Sequence, residues 1–266
     1  PLVAALAEST GWREASLLIS VVALAVVPLV YFFIRNHPSD LNIDAYGAEP
    51  GTTPPRVRHT GAVMRAITGL RDAGKTGSFW ALAVAFFICG ATTNGLVGVH
   101  FIPSAHDHGM SLTVAAGLLA VVGVFDIVGT VASGWLTDRV NPRYLLTGYY
   151  AFRGVGLAFL PFLLSDEIHP SIVIFVVVYG LDWVATVPPT VALCREYFGE
   201  RASIVFGWVF ASHQVGAAVA ATAAGLVRDQ FGDYAYAWMG GAVLCVVAAV
   251  FSYIVKPPRL GRWVTA

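Results

Sequence analysis

Seven apolar runs of twenty or more residues, nearly free of charge, dominate the sequence: residues 15–34, 79–102, 112–136, 144–164, 172–193, 203–227 and 236–255. At 1.5 Å per residue a helix of about 20 residues crosses the roughly 30 Å of a bilayer's hydrocarbon core. Helices of soluble proteins average only about 11–12 residues, so a stack of seven such runs does not read as a soluble core. Composition agrees, since 57% of the 266 residues are hydrophobic and 12% charged, against about 25% charged in soluble domains. An all-α integral membrane protein with seven transmembrane helices is predicted, with the lipid bilayer as its first partner.

Sixteen basic and sixteen acidic residues cancel, which leaves no electrostatic footprint for nucleic acid. Their placement is informative. Arg35, Arg56, Arg58, Arg65, Arg71, Lys75, Arg139, Arg143, Arg195, Arg201, Lys256, Arg259 and Arg262 fall on alternate connections, and the opposite side holds Arg13 and Arg228, about thirteen against two. Short loops rich in Lys and Arg stay in the cytoplasm, so the first set and the C-terminus are predicted to be cytoplasmic, in the plasma (inner) membrane. Cys89, Cys194 and Cys245 are odd in number and read as small packing residues, not a disulfide framework. His106 and His108 form an H-x-H pair in an outer loop with no third ligand nearby, so no metal and no cofactor is expected.

Three regions follow. Residues 1–34 hold one transmembrane helix, residues 35–77 a Pro-, Gly- and Asp-containing cytoplasmic linker, and residues 78–266 six spans in a bundle. Residues 65–71 fit either a basic amphipathic helix on the anionic leaflet or a solvated segment. The six spans divide into two triplets whose starts are offset by about 91 residues, and Gly134-x-x-x-Asp138 and Gly225-x-x-x-Asp229 share that offset. An odd number of spans per triplet inverts the second copy, an arrangement typical of secondary transporters. The chain opens on PLVAAL without a Met, which reads as the tail of an earlier apolar run and predicts a fragment lacking upstream helices.

The loop GWLTDRVNPRY, residues 134–144, is built to be tight: Gly134 is expected to allow close helix contact, Asn141 to cap the next helix and Pro142 to fill its first turn. It resembles the G-x-x-x-D-R-x-x-R signature of the major facilitator superfamily, in the copy between that family's eighth and ninth helices. The resemblance implies that the chain is the sixth helix, central loop and C-terminal six-helix half of such a transporter, an inverted 3+3 repeat. It further implies that Gly134, Asp138, Arg139 and Arg143 form a cytoplasmic gate latch, and that the missing N-terminal half is a partner. FDIVGTVASG, residues 125–134, also resembles the eighth helix of the monocarboxylate and oxalate-formate porters, where an Asp is followed four residues later by an Arg. Asp126 matches, and Thr130 stands where that Arg would be.

Counted inward from the cytoplasmic span ends, Asp126, Arg153, Asp182 and His213 all lie about 9–11 residues deep, near the bilayer midplane. An ionised group there costs several kcal/mol unless paired or wet. Asp182 has no charged neighbour along its own span, so Arg153 on the preceding span is its expected partner, with Asp126 as the competitor. Asp126 and His213, with Thr130, Asn94 and Gln214, are the candidate substrate and coupling residues, and a proton is the candidate coupling ion. Pro188 and Pro189 remove two helical donors, which predicts a kink that frees the carbonyls of Val184 and Ala185 and can act as a hinge.

These readings point to a secondary active transporter moving a small organic solute, with organic anions among the candidates, by alternating access. Two other classes stand beside it. An intramembrane aspartyl enzyme would use Asp126 and Asp182 as a dyad, but the first Gly of the G-x-G-D sequence those proteases carry is Tyr179 here. A receptor or scaffold on the same fold would transport nothing. No H-E-x-x-H or G-x-S-x-G occurs.

Overall fold

The computed structural model describes residues 2–35, 38–44, 46–47 and 61–256, and all regular structure among them is helical. Most of the predicted linker, with Arg56 and Arg58, and the C-terminal tail, with Arg259 and Arg262, lie outside the described residues. The chain divides into two compact units, residues 2–64 and residues 65–266. In the first, α1 (Leu2–Ser9) meets α2 (Trp12–Phe33) at Gly11, whose φ of +109° an L side chain would strain. A short 3₁₀ turn, Pro38–Leu41, follows.

The second unit starts inside α3 (Ala62–Ala73), whose Gly69 and Ala73 are buried. Trp208 Nε1 donates to the Ala66 carbonyl at 2.9 Å and holds this helix to the bundle. Its Asp72 carboxylate accepts from Lys75 and Arg201, and those bonds hold its carboxyl below the usual 3.8. The bundle comprises α4 (Gly77–Gly90), a π-helical segment (Ala91–Val97), α5 (Gly98–Asp107), α6 (Leu112–Thr137), α7 (Pro142–Phe159), α8 (Pro170–Asp182), α9 (Val187–Phe198), α10 (Ala202–Phe231) and α11 (Ala235–Ile254).

Boundary chemistry explains several starts. Thr76, Ser111 and Asn141 each accept a backbone N–H with the side-chain oxygen at the beginning of α4, α6 and α7, and Pro142 fills the first turn of α7. Gly232, at φ +82°, ends α10 in the left-handed conformation.

Among the described residues five helical stretches are long and apolar enough to cross a membrane: Trp12–Phe33, Gly77–Asp107, Leu112–Thr137, Pro170–Phe231 and Ala235–Ile254. The seven predicted runs become five because two of them fall inside the 62-residue stretch Pro170–Phe231, and α7, which carries Arg143 and Arg153, is not among the five.

The tightest packing is between α7 and α11, α4 and α10, and α6 and α8. Two of these contacts use glycines reciprocally. A Cβ on Gly129 would collide with the Leu181 backbone and one on Gly180 with the Val122 backbone, so α6 and α8 meet main chain to main chain. Gly90 and Gly216 do the same for α4 and α10, against the carbonyls of His213 and Phe87. Gly134, expected to allow close helix contact, instead faces open space. The close approach belongs to Gly129, five residues earlier on α6.

Two apolar cores result. One holds Phe79, Phe86, Leu146, Tyr150, Leu193, Tyr197 and Val205; the other Phe101, Leu118, Leu157, Ile172, Phe175 and Trp238. Arg153 and Asp182 are buried between residues of these clusters, Arg153 between Tyr150 and Leu157 and Asp182 beyond Tyr179. At the far end of α10, Arg228 donates twice to Asp107, Nε to Oδ2 and an Nη to Oδ1, both at 2.8 Å, and ties α10 to α5.

Candidate functional site

The span that the adjacent prolines were expected to kink is broken outright. Helix α8 stops at Asp182 and α9 starts at Val187, with Pro188 and Pro189 in its first turn, where a missing N–H costs little. The four intervening residues are not helical, and their polar groups are met one by one. The Val184 carbonyl accepts the Val187 N–H at 2.9 Å, and the Ala185 carbonyl accepts the Ser133 hydroxyl at 2.5 Å. Thr190 supplies both its N–H and its hydroxyl to the Thr186 carbonyl. The two carbonyls expected to be free are therefore both occupied.

Arg153 organises the α8 side of the break. Its Nε donates to Asp182 Oδ2 at 2.6 Å, and one Nη donates to the Asp182 and Trp183 carbonyls at 2.8 and 3.3 Å. The other Nη reaches the Cys89 sulfur at 3.2 Å, and the guanidinium carbon lies 5.6 Å from the Tyr150 ring centroid. The guanidinium thus neutralises a carboxylate and caps a helix C-terminus, where the macrodipole favours a cation. Asp182 Oδ1 has no partner among the described residues.

A second interruption lies opposite. Over Ala91–Val97 the chain turns π-helical, and the hydroxyls of Thr92 and Thr93 donate to the Ile88 and Cys89 carbonyls at 2.8 and 2.7 Å. The two interruptions touch: Tyr179 donates its hydroxyl to the Thr92 carbonyl at 2.8 Å, and the Cys89 sulfur lies 3.2 Å from the Thr186 hydroxyl. Cys89, read from the sequence as a packing residue, is a polar junction between Arg153 and Thr186. The sequence held a faint signal for it, its place one turn before the Thr92-Thr93-Asn94 cluster.

The remaining candidates are distributed as follows. Asp126, the expected competitor for Arg153, is engaged elsewhere: its Oδ1 accepts from the Thr130 hydroxyl at 3.1 Å and from the Val184 N–H, inside the break, at 3.0 Å. Asp126 shares no hydrogen bond with Asp182 or His213 among the described residues, so neither the carboxylate dyad nor a direct Asp–His pair is formed. His213 is buried, its ring stacked on Phe210 at 5.5 Å and 4° and tilted on Phe86 at 5.1 Å, with Nδ1 unpartnered. Asn94 on the π-helical segment and Gln214 on α10 are exposed.

At the predicted latch Asp138 is exposed and makes no ion pair among the described residues. Arg139 lies over the Trp135 ring at 4.1 Å, Arg143 donates to the Tyr253 carbonyl, and Asn141 caps Arg143 at 3.0 Å. His106 and His108 take separate carbonyls, those of Met110 and Ser104.

With this geometry in hand, comparison with known proteins is informative. Residues 1–204 match the sequence profile of the Major Facilitator Superfamily. Monocarboxylate transporter 13 of Rattus norvegicus is 30% identical over 217 residues, covering 73% of this chain and 50% of that protein. An uncharacterized MFS-type transporter of Bacillus subtilis, YcxA, is 25% identical over 263 residues, covering 96% of this chain and 59% of that protein. The crystal structure of the E. coli fucose:proton symporter superposes with a TM-score of 0.61 at 18% identity, over 94% of this chain and 56% of that one, a likeness of fold. The chain spans about half the length of the curated relatives it matches. These relatives are transporters, not enzymes.

Proposed function

The chain belongs to the major facilitator superfamily, and from that premise we propose that it forms the solute-binding half of a proton-coupled secondary transporter working by alternating access. It is an integral membrane protein of helical, facilitator-like fold. In the proposed arrangement the six helical spans after the linker form two inverted triplets. The observation that carries the reading is the pair of interruptions. Ala91–Val97 and the 183–186 break interrupt the first span of each triplet, at the offset of about 91 residues that relates the triplets in sequence. Interrupted spans at corresponding positions of two repeats are where transporters build their sites, since freed backbone groups and half-helix ends are tolerated only beside protein or a water-filled cavity.

In this proposal Asp126 and His213 carry the coupling proton, Asn94 and Gln214 face the solute, and the break between α8 and α9 is the hinge. Asp138, Arg139 and Arg143 close the cytoplasmic side against the partner half. Arg153 and Asp182 hold the break in one register, Arg153 by donating to the Asp182 carboxylate, the Asp182 and Trp183 carbonyls and the Cys89 sulfur. Names of relatives support transport of a small organic solute, and the carboxylate in those names is said of those proteins.

Full-length protein in liposomes tests the proposal. An imposed proton gradient is expected to concentrate at least one labelled member of a panel of small organic acids, amines and amino acids. In Asp126→Asn and in His213→Gln the accumulation ratio is expected to fall to about one. Uptake that ignores the gradient rejects coupling, and accumulation by both variants equal to the parent makes the two residues structural.

A further inference from the structure

We infer that Asp126 and Trp183 form a docking site for a cationic group, an organic ammonium or guanidinium, of the transported solute; the inference rests on the transport reading above and assigns it a substrate class. The two side chains line one cavity of about 250 Å³, together with Gly98 of α5 and Leu119, Val122 and Gly123 of α6. Asp126 Oδ1 is fixed by the Thr130 hydroxyl and the Val184 N–H. Its other oxygen, Oδ2, makes no hydrogen bond, and no Lys, Arg or His lies within ion-pair distance, among the described residues. Arg153, the cation of the same layer, is committed to Asp182, the Trp183 carbonyl and Cys89.

A partly exposed carboxylate at mid-membrane depth with no countercharge among the described residues calls for an occupant that brings one. Three kinds of cation qualify: a proton, a metal ion and an organic cation. A hard metal ion needs about six oxygen ligands. The lining offers one carboxylate oxygen among apolar side chains, glycines and an indole. The volume is far above the roughly 10–15 Å³ that one water needs, so the cavity has room for a molecule. The Trp183 indole in the lining offers a π system to a desolvated cation, and Tyr179 holds that indole edge-on at 5.7 Å. Proton and organic cation are then alternative occupants of one oxygen, and a carboxylate on the same solute, where present, docks elsewhere.

The test uses purified full-length protein titrated at matched ionic strength with benzylammonium, benzoate, benzyl alcohol or sodium chloride. Binding is read by calorimetry and by the shift in thermal unfolding midpoint. Saturable binding of benzylammonium is expected, with benzoate, benzyl alcohol and sodium at least about tenfold weaker. Asp126→Asn is expected to weaken benzylammonium by at least about tenfold, and Trp183→Leu by roughly two- to thirtyfold. Asp126→Glu should keep the preference for the ammonium. The order among the four probes on the parent protein decides the matter even where a variant fails to fold. Benzoate or sodium binding as well as benzylammonium overturns the inference, and so does a folded Asp126→Asn that binds benzylammonium as the parent does. The two proposals fail separately: loss of the ammonium preference leaves gradient-driven uptake standing, and absence of gradient-driven uptake leaves the binding preference standing.

Discussion

Arg153 shows what a single charge inside an apolar span can do. It neutralises Asp182, closes the end of α8 by binding its last carbonyl and that of Trp183 just beyond it, and reaches across to Cys89 on α4. Removing one partner of such a pair strands the other, and Asp182→Ala or Arg153→Ala is expected to cost roughly 3–5 kcal/mol of stability. The double replacement should recover part of that loss and not all of it, since the Asp182 and Trp183 carbonyls and the Cys89 sulfur then lack their donor. Unfolding in detergent, run as a double-mutant cycle, measures this. Strictly additive losses would show that the two residues do not act as a pair. Sequence alone reached both residues because a charge in an apolar run demands a partner, and short connections limit where it can lie. It left Asp126 as a rival because depth along a helix says nothing about which face a side chain takes. Cys89 carried only a faint signal, its place one turn before the Thr92-Thr93-Asn94 cluster, because a thiol is apolar or polar according to what meets it.

At the scale of elements, the prolines and the long runs were legible, since both act through local rules. The extent of the break and the π-helical turn were not, because each exists only where Ser133, Asp126 and Arg153, or the hydroxyls of Thr92 and Thr93, hold the freed backbone. Glycine was the element-level misreading. A motif places Gly134 at a helix contact, yet three-dimensional placement gives that contact to Gly129. The two positions make a matched test on one helix. Gly129→Ala drives a methyl into the Leu181 backbone, which cannot rotate away, and is expected to destabilise the α6–α8 contact by about 1–3 kcal/mol. Gly134→Ala meets nothing within 4 Å and replaces a poor helix former, so it should be neutral or stabilising by up to about 1 kcal/mol. Thermal unfolding of the two variants distinguishes them, and equal effects would mean that α6 and α8 do not meet as described.

The whole molecule poses a question that neither composition nor packing answers alone, which is the side of the membrane each end of the bundle faces. The basic residues supply the argument: their distribution, about thirteen against two, predicts that the 35–77 segment and the 134–144 loop are cytoplasmic and that residues 103–111 and 165–171 are outside. The described helices are compatible with that alternation, since α6 runs from Leu112 near the second pair of segments to Thr137 at the first. Single cysteines placed in these four segments, probed with a membrane-impermeant thiol reagent on intact cells, should label in the second pair and stay protected in the first. The background must lose its native thiols, all three of which are buried. Cys89 accepts from Arg153, so Ser suits that position better than Ala because it keeps an acceptor within reach of the guanidinium. Labelling of the 35–77 segment from outside, with the 103–111 segment protected, would invert the topology. It would also place the Asp138, Arg139 and Arg143 loop on the wrong face for a cytoplasmic latch, while leaving the contacts among α4, α6, α8 and α10 unchanged.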